Sequence, residues 1–220
     1  RQQEMYFSTS NVYEILSKWS VSMSYDFKWN KLNANMVDFA FPHRYSNFVS
    51  LATALTLSRI QAQASLVEQV VKDHVKYGAS SSSRCTLTPA FFVNVYPFES
   101  KLLAVQAFAK KSFRMPTFND LYYADMGNSK LNPESALQYD LGFVLNKDWK
   151  QGIVDHFRLQ VDGYYNTVYD KIVAYPKGQQ FRWTMLNLGK VHIKGAKKHP
   201  AKLVESAAMG AVLPPDPTYT

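Results

Sequence analysis

Strict two-residue alternation constrains this chain more than any other feature. From Trp19 the odd positions read Trp19, Val21, Met23, Tyr25, Phe27 and Trp29, and the even positions between them read Ser20, Ser22, Ser24, Asp26, Lys28 and Asn30. A helix would scatter the two sets around its circumference, whereas a strand puts each set on its own face. The pattern returns in Leu137, Tyr139, Leu141, Phe143 and Leu145, set against Gln138, Asp140, Gly142 and Asn146. It returns again in Phe157, Leu159, Val161, Gly163 and Tyr165, set against Arg158, Gln160, Asp162, Tyr164 and Asn166. Weaker strands fit Val49 to Leu57, Ile60 to Val70, Thr86 to Tyr96, Leu102 to Phe113 and Trp183 to Lys194, while Met5 and Phe7 mark the end of one more before Asn11. Ile60, Ala64, Val67, Val71 and Val75 also satisfy a helical stripe. The short Ser58-Arg59 link to the preceding strand makes a hairpin the more economical reading. The chain therefore reads as all-β, an antiparallel up-and-down meander of about eight strands.

The connections carry further information. Lys31 to Tyr45, Val71 to Cys85, Arg114 to Glu134 and Val168 to Arg182 are long, and they alternate with the shorter Ser58-Arg59, Pro97 to Ser100 and Lys147 to Asp155. Outer-membrane barrels have this asymmetry, with short turns at one end and longer loops at the other. The long connections are thus expected at one end, with Ser58-Arg59 and Pro97 to Ser100 at the opposite end. Strand lengths suit a tilted bilayer crossing of about 9–11 residues. The apolar sets are large and aromatic, and the opposing Ser, Gln, Asp and Asn sets suit a wet lumen. A soluble or secreted β-sheet binding protein without a transport role, with one face in water, is the alternative reading. After Gly195 the alternation stops, and Leu213-Pro214-Pro215-Asp216-Pro217 cannot form a central strand. The sequence thus divides into a sheet-forming part, 1–195, and a non-barrel, proline-containing tail, 196–220.

Several function classes are disfavoured. Aromatic residues are 15% of the chain, far too many for intrinsic disorder. Cys85 has no partner for a disulfide, and no apolar run is long enough for a transmembrane helix. The opening Arg1-Gln2-Gln3 has neither an initiator Met nor a charged-then-apolar leader, which reads as a piece of something longer. No nucleophile elbow, phosphate-cradling glycine loop or His-Glu-x-x-His helix occurs, so no catalytic residue and no enzyme activity are expected. His43, His74, His156, His192 and His199 are dispersed, and no metal site or cofactor is expected. The 25 Lys and Arg against 17 Asp and Glu give a net charge of +8. These cations are spread through strands and loops, so nucleic acid is not an expected partner, and outer-membrane lipid headgroups are the natural counter-charges.

The sharpest local motif is FRMPTFNDLYY, residues 113–123, continuing through Gly127-Asn128-Ser129-Lys130-Leu131-Asn132-Pro133-Glu134. Pro116 halts a strand, Gly127-Asn128 supplies a turn, and Asn132-Pro133 fixes an extended entry into the next strand. This run resembles the barrel of TonB-dependent outer-membrane receptors, which carry an Arg/Lys-x-Pro-x-(Phe/Leu)-x-(Glu/Asp)-Leu-Tyr segment followed by Gly-Asn-x-x-Leu-x-Pro-Glu. Gly163-Tyr164-Tyr165-Asn166, Asp170-Lys171-Ile172, Asn187-Leu188-Gly189-Lys190-Val191 and Ile193-Lys194-Gly195 look like the family's next hairpin. The resemblance covers roughly residues 18 to 195 and is closest to the cobalamin- and siderophore-receptor branch of Bacteroides-like bacteria.

That resemblance implies a bacterial outer-membrane barrel of about 22 strands. It also implies an N-terminal plug domain, energy from an inner-membrane TonB complex, and uptake of a scarce small-molecule ligand such as cobalamin or an iron chelate. The plug and the later strands have no counterpart in this sequence, so it reads as a partial barrel that does not transport by itself. Loop residues Arg114, Asn119, Tyr122, Tyr123 and Asp125 are the candidates for ligand contact, because binding residues concentrate on such loops. Arg114 and Pro116 would also close the loop against the barrel rim. Pro116, Gly127, Asn128, Leu131, Pro133 and Glu134 form the structural motif.

Overall fold

The computed structural model describes residues 1–35, 39–123, 126–148, 154–178 and 182–205. It holds one nine-stranded antiparallel sheet in which spatial order equals chain order. The strands are β1 (Gln2–Leu16), β2 (Trp19–Leu32), β3 (His43–Thr56), β4 (Ile60–His74), β5 (Arg84–Val95), β6 (Leu103–Arg114), β7 (Glu134–Asp148), β8 (Val154–Lys177) and β9 (Arg182–Glu205). One helical turn, α1 (Phe118–Tyr122), interrupts the β6–β7 connection. The segment whose pattern allowed either a helix or a strand is β4, hairpinned to β3 with Thr56 opposite Gln61.

The meander places the β2–β3, β4–β5, β6–β7 and β8–β9 connections at one end and the other four at the opposite end. Arg114 to Glu134 therefore lies at the far end from Ser58-Arg59. Three differences from the sequence reading have physical causes. First, β1 is a full strand paired with β2 along its length, from Gln2 opposite Leu32 to Leu16 opposite Trp19. Its alternation fades at Thr9 and Asn11, so periodicity picked up only Met5 and Phe7. Second, the expected long Val168 to Arg182 loop is mostly strand. β8 and β9 stay in register from Tyr169–Lys190 to Lys177–Arg182, so this hairpin projects beyond Glu134, where β7 begins. Third, β9 is paired with β8 through Glu205, past the Gly195 at which the pattern ends. Backbone pairing needs no side-chain alternation, and the register shifts opposite Arg158 and Gln160, where β9 passes through Pro200. A bulge is one of the few places in a sheet that accept proline.

Cross-strand partners share a face, so the registers sort every strand residue onto one side or the other. Met23, Leu51, Leu66, Pro89, Ala109, Tyr139 and Tyr165 belong to one face. That face is apolar and uncovered: Leu51 is 53% exposed, Leu141 48% and Phe143 46%. A soluble sandwich would bury such a surface, whereas a barrel in a bilayer turns it to lipid. The opposite face carries Ser20, Ser22, Asp26, Arg44, Asp73, Gln106, Asp140 and Asp162. A recess on this side is lined by Gln106, Asp140, Gln160, Asp162, Tyr164 and Lys197. Among the described residues a buried apolar cluster lies under the β6–β7 connection, where Leu121, Tyr122, Leu131 and Ile172 meet Ala40, Val75, Phe118 and Met185.

Candidate functional site

The β6–β7 connection folds down over the polar face at the long-loop end. Pro116, fully buried, stops β6 and turns the chain inward. Thr117 then caps α1 through reciprocal bonds. The Asp120 N–H donates to Thr117 Oγ1 at 3.2 Å, and the Thr117 N–H donates to Asp120 Oδ2 at 2.8 Å. This satisfies donors that so short a helix would otherwise leave orphaned. Gly127 is required sterically, since a Cβ there would lie 2.6 Å from the Tyr123 backbone nitrogen and 2.8 Å from the Leu121 carbonyl oxygen.

Three groups of bonds hold the connection in place. At its first end, Arg44 and Asp73, directly opposite each other on β3 and β4, form a two-pronged ion pair with Nε–Oδ1 2.7 Å and Nη2–Oδ2 2.8 Å. The third prong of Arg44, Nη1, donates to the Pro116 carbonyl at 2.8 Å, and its guanidinium lies 5.0 Å over the Phe118 ring. Tyr122 completes the group. Its hydroxyl donates to Asp73 Oδ2 at 3.1 Å and accepts the Ser81 N–H at 2.9 Å, tying in the β4–β5 connection. Burial is the main reason this phenol's pKa is pushed up to about 12, with the Asp73 carboxylate adding to the rise and the Ser81 bond opposing it.

At the middle, Arg114 bridges Glu134 at 3.3 Å and Asp120 at 3.4 Å, and Glu134 Oε1 accepts the Ile172 N–H at 2.7 Å. At its last end, Asn187 of β9 accepts from the Asn132 N–H at 2.8 Å. It donates to the carbonyls of Asn132 at 2.9 Å and Asp170 at 2.7 Å. Asn128 donates to the Met185 carbonyl at 3.0 Å, and the Met185 N–H donates to the Met126 carbonyl at 3.1 Å. The connection is thus strapped to β3, β4 and the projecting β8–β9 hairpin at once.

The sequence-derived candidates divide accordingly. Arg114 and Tyr122 are brought into the strap, and the Tyr122 hydroxyl is already occupied on both sides. Asn119 and Tyr123 are both exposed, Tyr123 at 46%. Asp125 lies outside the described residues. Of the motif residues, Pro116 and Leu131 are buried, and Asn128 and Glu134 make the bonds given above. Pro133 sits one residue before β7. The sequence reading missed Arg44, Asp73, Ser81 and Asn187. The sequence reading puts Arg44 and Asp73 in loops, and the signal that finds them is their shared lumenal parity once β3 and β4 extend to His43 and His74.

An uncovered aromatic belt, a polar inner wall and a loop strapped across one mouth define a segment of an outer-membrane β-barrel. The family described as "TonB dependent receptor-like, beta-barrel" matches residues 71–196, more than half of the chain, and the chain belongs to that family. It is 30% identical over 83 residues to the vitamin B12 transporter BtuB of Vibrio vulnificus, covering 38% of this chain and 12% of that protein. It is 31% identical over 103 residues to the vitamin B12 transporter BtuB of Photobacterium profundum, covering 42% of this chain and 15% of that protein. Its fold is similar to the copper transporter OprC at a TM-score of 0.69 and 14% identity, over 89% of this chain and 34% of OprC. It is also similar to the FrpB iron transporter of Neisseria meningitidis (F3-3 variant) at 0.64 and 13%, over 85% of this chain and 31% of that one. The chain thus spans under a sixth of the curated relatives' length and about a third of the matched structures. All four of these relatives are transporters.

Proposed function

We propose that this chain supplies a stretch of barrel wall and one mouth loop to a TonB-dependent outer-membrane receptor that takes up a scarce ligand. The ligand class that the relatives favour is cobalamin or an iron-siderophore. The observation that carries this reading is the strap. A long loop bonded to three separate parts of the wall holds its outer surface, with Asn119 and Tyr123, rigidly at the entrance to a polar lumen. Binding groups on rigid supports lose less entropy on capture. In this reading Tyr123 offers a flat apolar surface and Asn119 a hydrogen-bonding edge to the ligand. Arg114 and Tyr122 position the loop from beneath, and Asp125 belongs to the same ligand-facing stretch. The complete receptor carries a plug domain within the lumen and draws energy from an inner-membrane TonB complex.

The test is uptake of labelled cobalamin and of a panel of ferric siderophores by cells expressing the full receptor, with and without a functional TonB. Uptake of at least one ligand that disappears without TonB is expected. Asn119→Ala together with Tyr123→Ala should weaken ligand binding about tenfold or more while leaving outer-membrane abundance unchanged. A double variant with unchanged affinity removes the ligand role from these residues, and TonB-independent uptake overturns the receptor reading itself.

A further inference from the structure

One backbone outlier stands beside the strap. Phe41, in the β2–β3 connection, holds a φ of 46°. A bulky residue in the left-handed region is a conformational exception. Its neighbours on both sides fix it there. The Lys76 N–H donates to the Ala40 carbonyl at 2.8 Å, and the Leu32 N–H donates to the carbonyl of the fully buried Pro42 at 3.1 Å. Strain over-determined in this way concentrates at ligand contacts and clamps.

The side chains show what the strain achieves. Phe39 is 4% exposed and meets the Phe41 ring edge-on at 5.3 Å. Phe41 in turn meets Tyr77 of the β4–β5 connection at 6.2 Å, with 68° between the ring planes, and Tyr77 is 53% exposed. The Lys76 ammonium sits in the angle between these two rings, 5.8 Å from the Phe41 centroid and 5.1 Å from that of Tyr77. Ring faces attract a cation but do not neutralise it. Among the described residues no carboxylate forms an ion pair with Lys76. The platform is anchored to the mouth loop. Ala40 and Val75, next in the chain to Phe41 and Lys76, pack on the buried cluster of Leu121, Tyr122, Leu131 and Ile172. Further along the β4–β5 connection, the Ser81 N–H donates to the Tyr122 hydroxyl.

We propose that Lys76, Phe41 and Tyr77 form a second ligand contact in the mouth, selecting a negatively charged chelate with flat aryl rings over an uncharged one. The inference rests on the receptor reading and narrows its ligand class. The ammonium supplies charge and N–H donors, and the exposed Tyr77 ring offers a face on which an aryl group stacks. Packing alone asks for neither, because Phe39, Ala40 and Val75 already close the layer beneath. The two rings position the ammonium in advance, so capture sacrifices less of the lysine's rotamer freedom. An uncharged ligand gains far less from the same ammonium.

The purified full receptor in mild detergent is titrated with two probes. One is the iron(III) complex of a hexadentate tris-catecholate, which is anionic and aryl-bearing, and the other is ferrichrome, which is neither. The native protein should bind the first at least tenfold more tightly, with an affinity that falls as salt is added. Lys76→Gln should lose about tenfold of that affinity and flatten the salt dependence, whereas Lys76→Arg should retain both. Tyr77→Leu should weaken binding and leave the salt dependence in place. Exchange of the Leu121 amide should match the native protein in each variant, which separates a lost contact from a loosened loop. Equal affinity for the two probes, or a Lys76→Gln variant with unchanged affinity and salt dependence, overturns the proposal. Lost exchange protection in Lys76→Gln alongside weaker binding also overturns it, because Lys76 would then act by supporting the loop. A receptor that takes up cyanocobalamin or ferrichrome in a TonB-dependent way without binding the tris-catecholate keeps the receptor reading and overturns this one.

Discussion

Removing the Arg44 guanidinium tests whether the strap is what holds the mouth loop. The side chain makes three bonds, two to a carboxylate whose own side chain is only 1% exposed and one to the Pro116 carbonyl. In Arg44→Met the buried Asp73 keeps the Tyr122 hydroxyl as its remaining donor, far short of what a desolvated carboxylate requires. Breaking a buried pair by deleting one partner costs about 3–5 kcal/mol. The cost falls on the loop, because the sheet hydrogen bonds on either side are untouched. The loop should therefore open locally without the barrel unfolding. At about 1.4 kcal/mol per decade, exchange of the amides held by the loop should accelerate by roughly 150- to 5,000-fold. The informative amides are Leu121, bonded to the Thr117 carbonyl, and Asn128, bonded to the Asp120 carbonyl. Hydrogen exchange read by mass spectrometry on peptides from 115–133 measures this directly, with β7 peptides as the internal standard. Arg59→Met, which removes the exposed pair with Glu99 at the opposite end, should change neither, since such pairs contribute about 0–1 kcal/mol. Arg44→Met/Asp73→Leu should recover much of the protection, because the uncompensated charge is gone. Acceleration below tenfold in Arg44→Met, or no recovery in the double variant, refutes the reasoning.

Tyr122 makes the loop sensitive to alkali. Its folded pKa of about 12 exceeds the ordinary 10, so its contribution is complete below pH 10 and is lost as pH rises towards 12. Loop proteolysis followed from pH 9 to 11.5 should rise more steeply in the native sequence than in Tyr122→Phe. Gly127→Ala forces a methyl against the backbone of Tyr123 and Leu121 and should destabilise the loop by about 1–3 kcal/mol, seen as exchange of the Asn128 amide. Leu141→Arg, midway along β7 on the lipid face, should lower barrel stability in vesicles by about 2–4 kcal/mol. Gln138→Arg on the lumenal face should leave it nearly unchanged, as equilibrium unfolding in urea would show.

Trp19 to Asn30 and Leu137 to Asn146 announce themselves as strands because both of their environments, lipid and water, are uniform along the strand. Legibility declines where an environment is mixed. β1 meets polar Thr9 and Asn11 on the outward parity, and the β8–β9 hairpin projects past the bilayer, where no lipid demands alternation. Residues such as Ile172 and Asn187 then follow the demands of the loop they bind. The candidate site was legible as a motif but not as a geometry. Pro116, Thr117, Asp120 and Gly127 act locally and leave a local signature. The partners of Arg44 and Tyr122 come from β4 and the β4–β5 connection, and only the registers bring them together.

The strap also bears on how the sheet is put together. In a meander every strand pairs with its sequence neighbour, and a one-residue slip turns a strand's lipid-facing side chains to the lumen. A slip of one residue between β3 and β4 would part Arg44 from Asp73 and send one of them to the lipid side. It would also cost the β6–β7 connection its anchorage, because Pro116 and Tyr122 need a guanidinium and a carboxylate side by side on the inner wall. The mouth loop thereby makes its own closure depend on the register of two strands distant in sequence, and a slipped wall would keep a loose, protease-sensitive mouth.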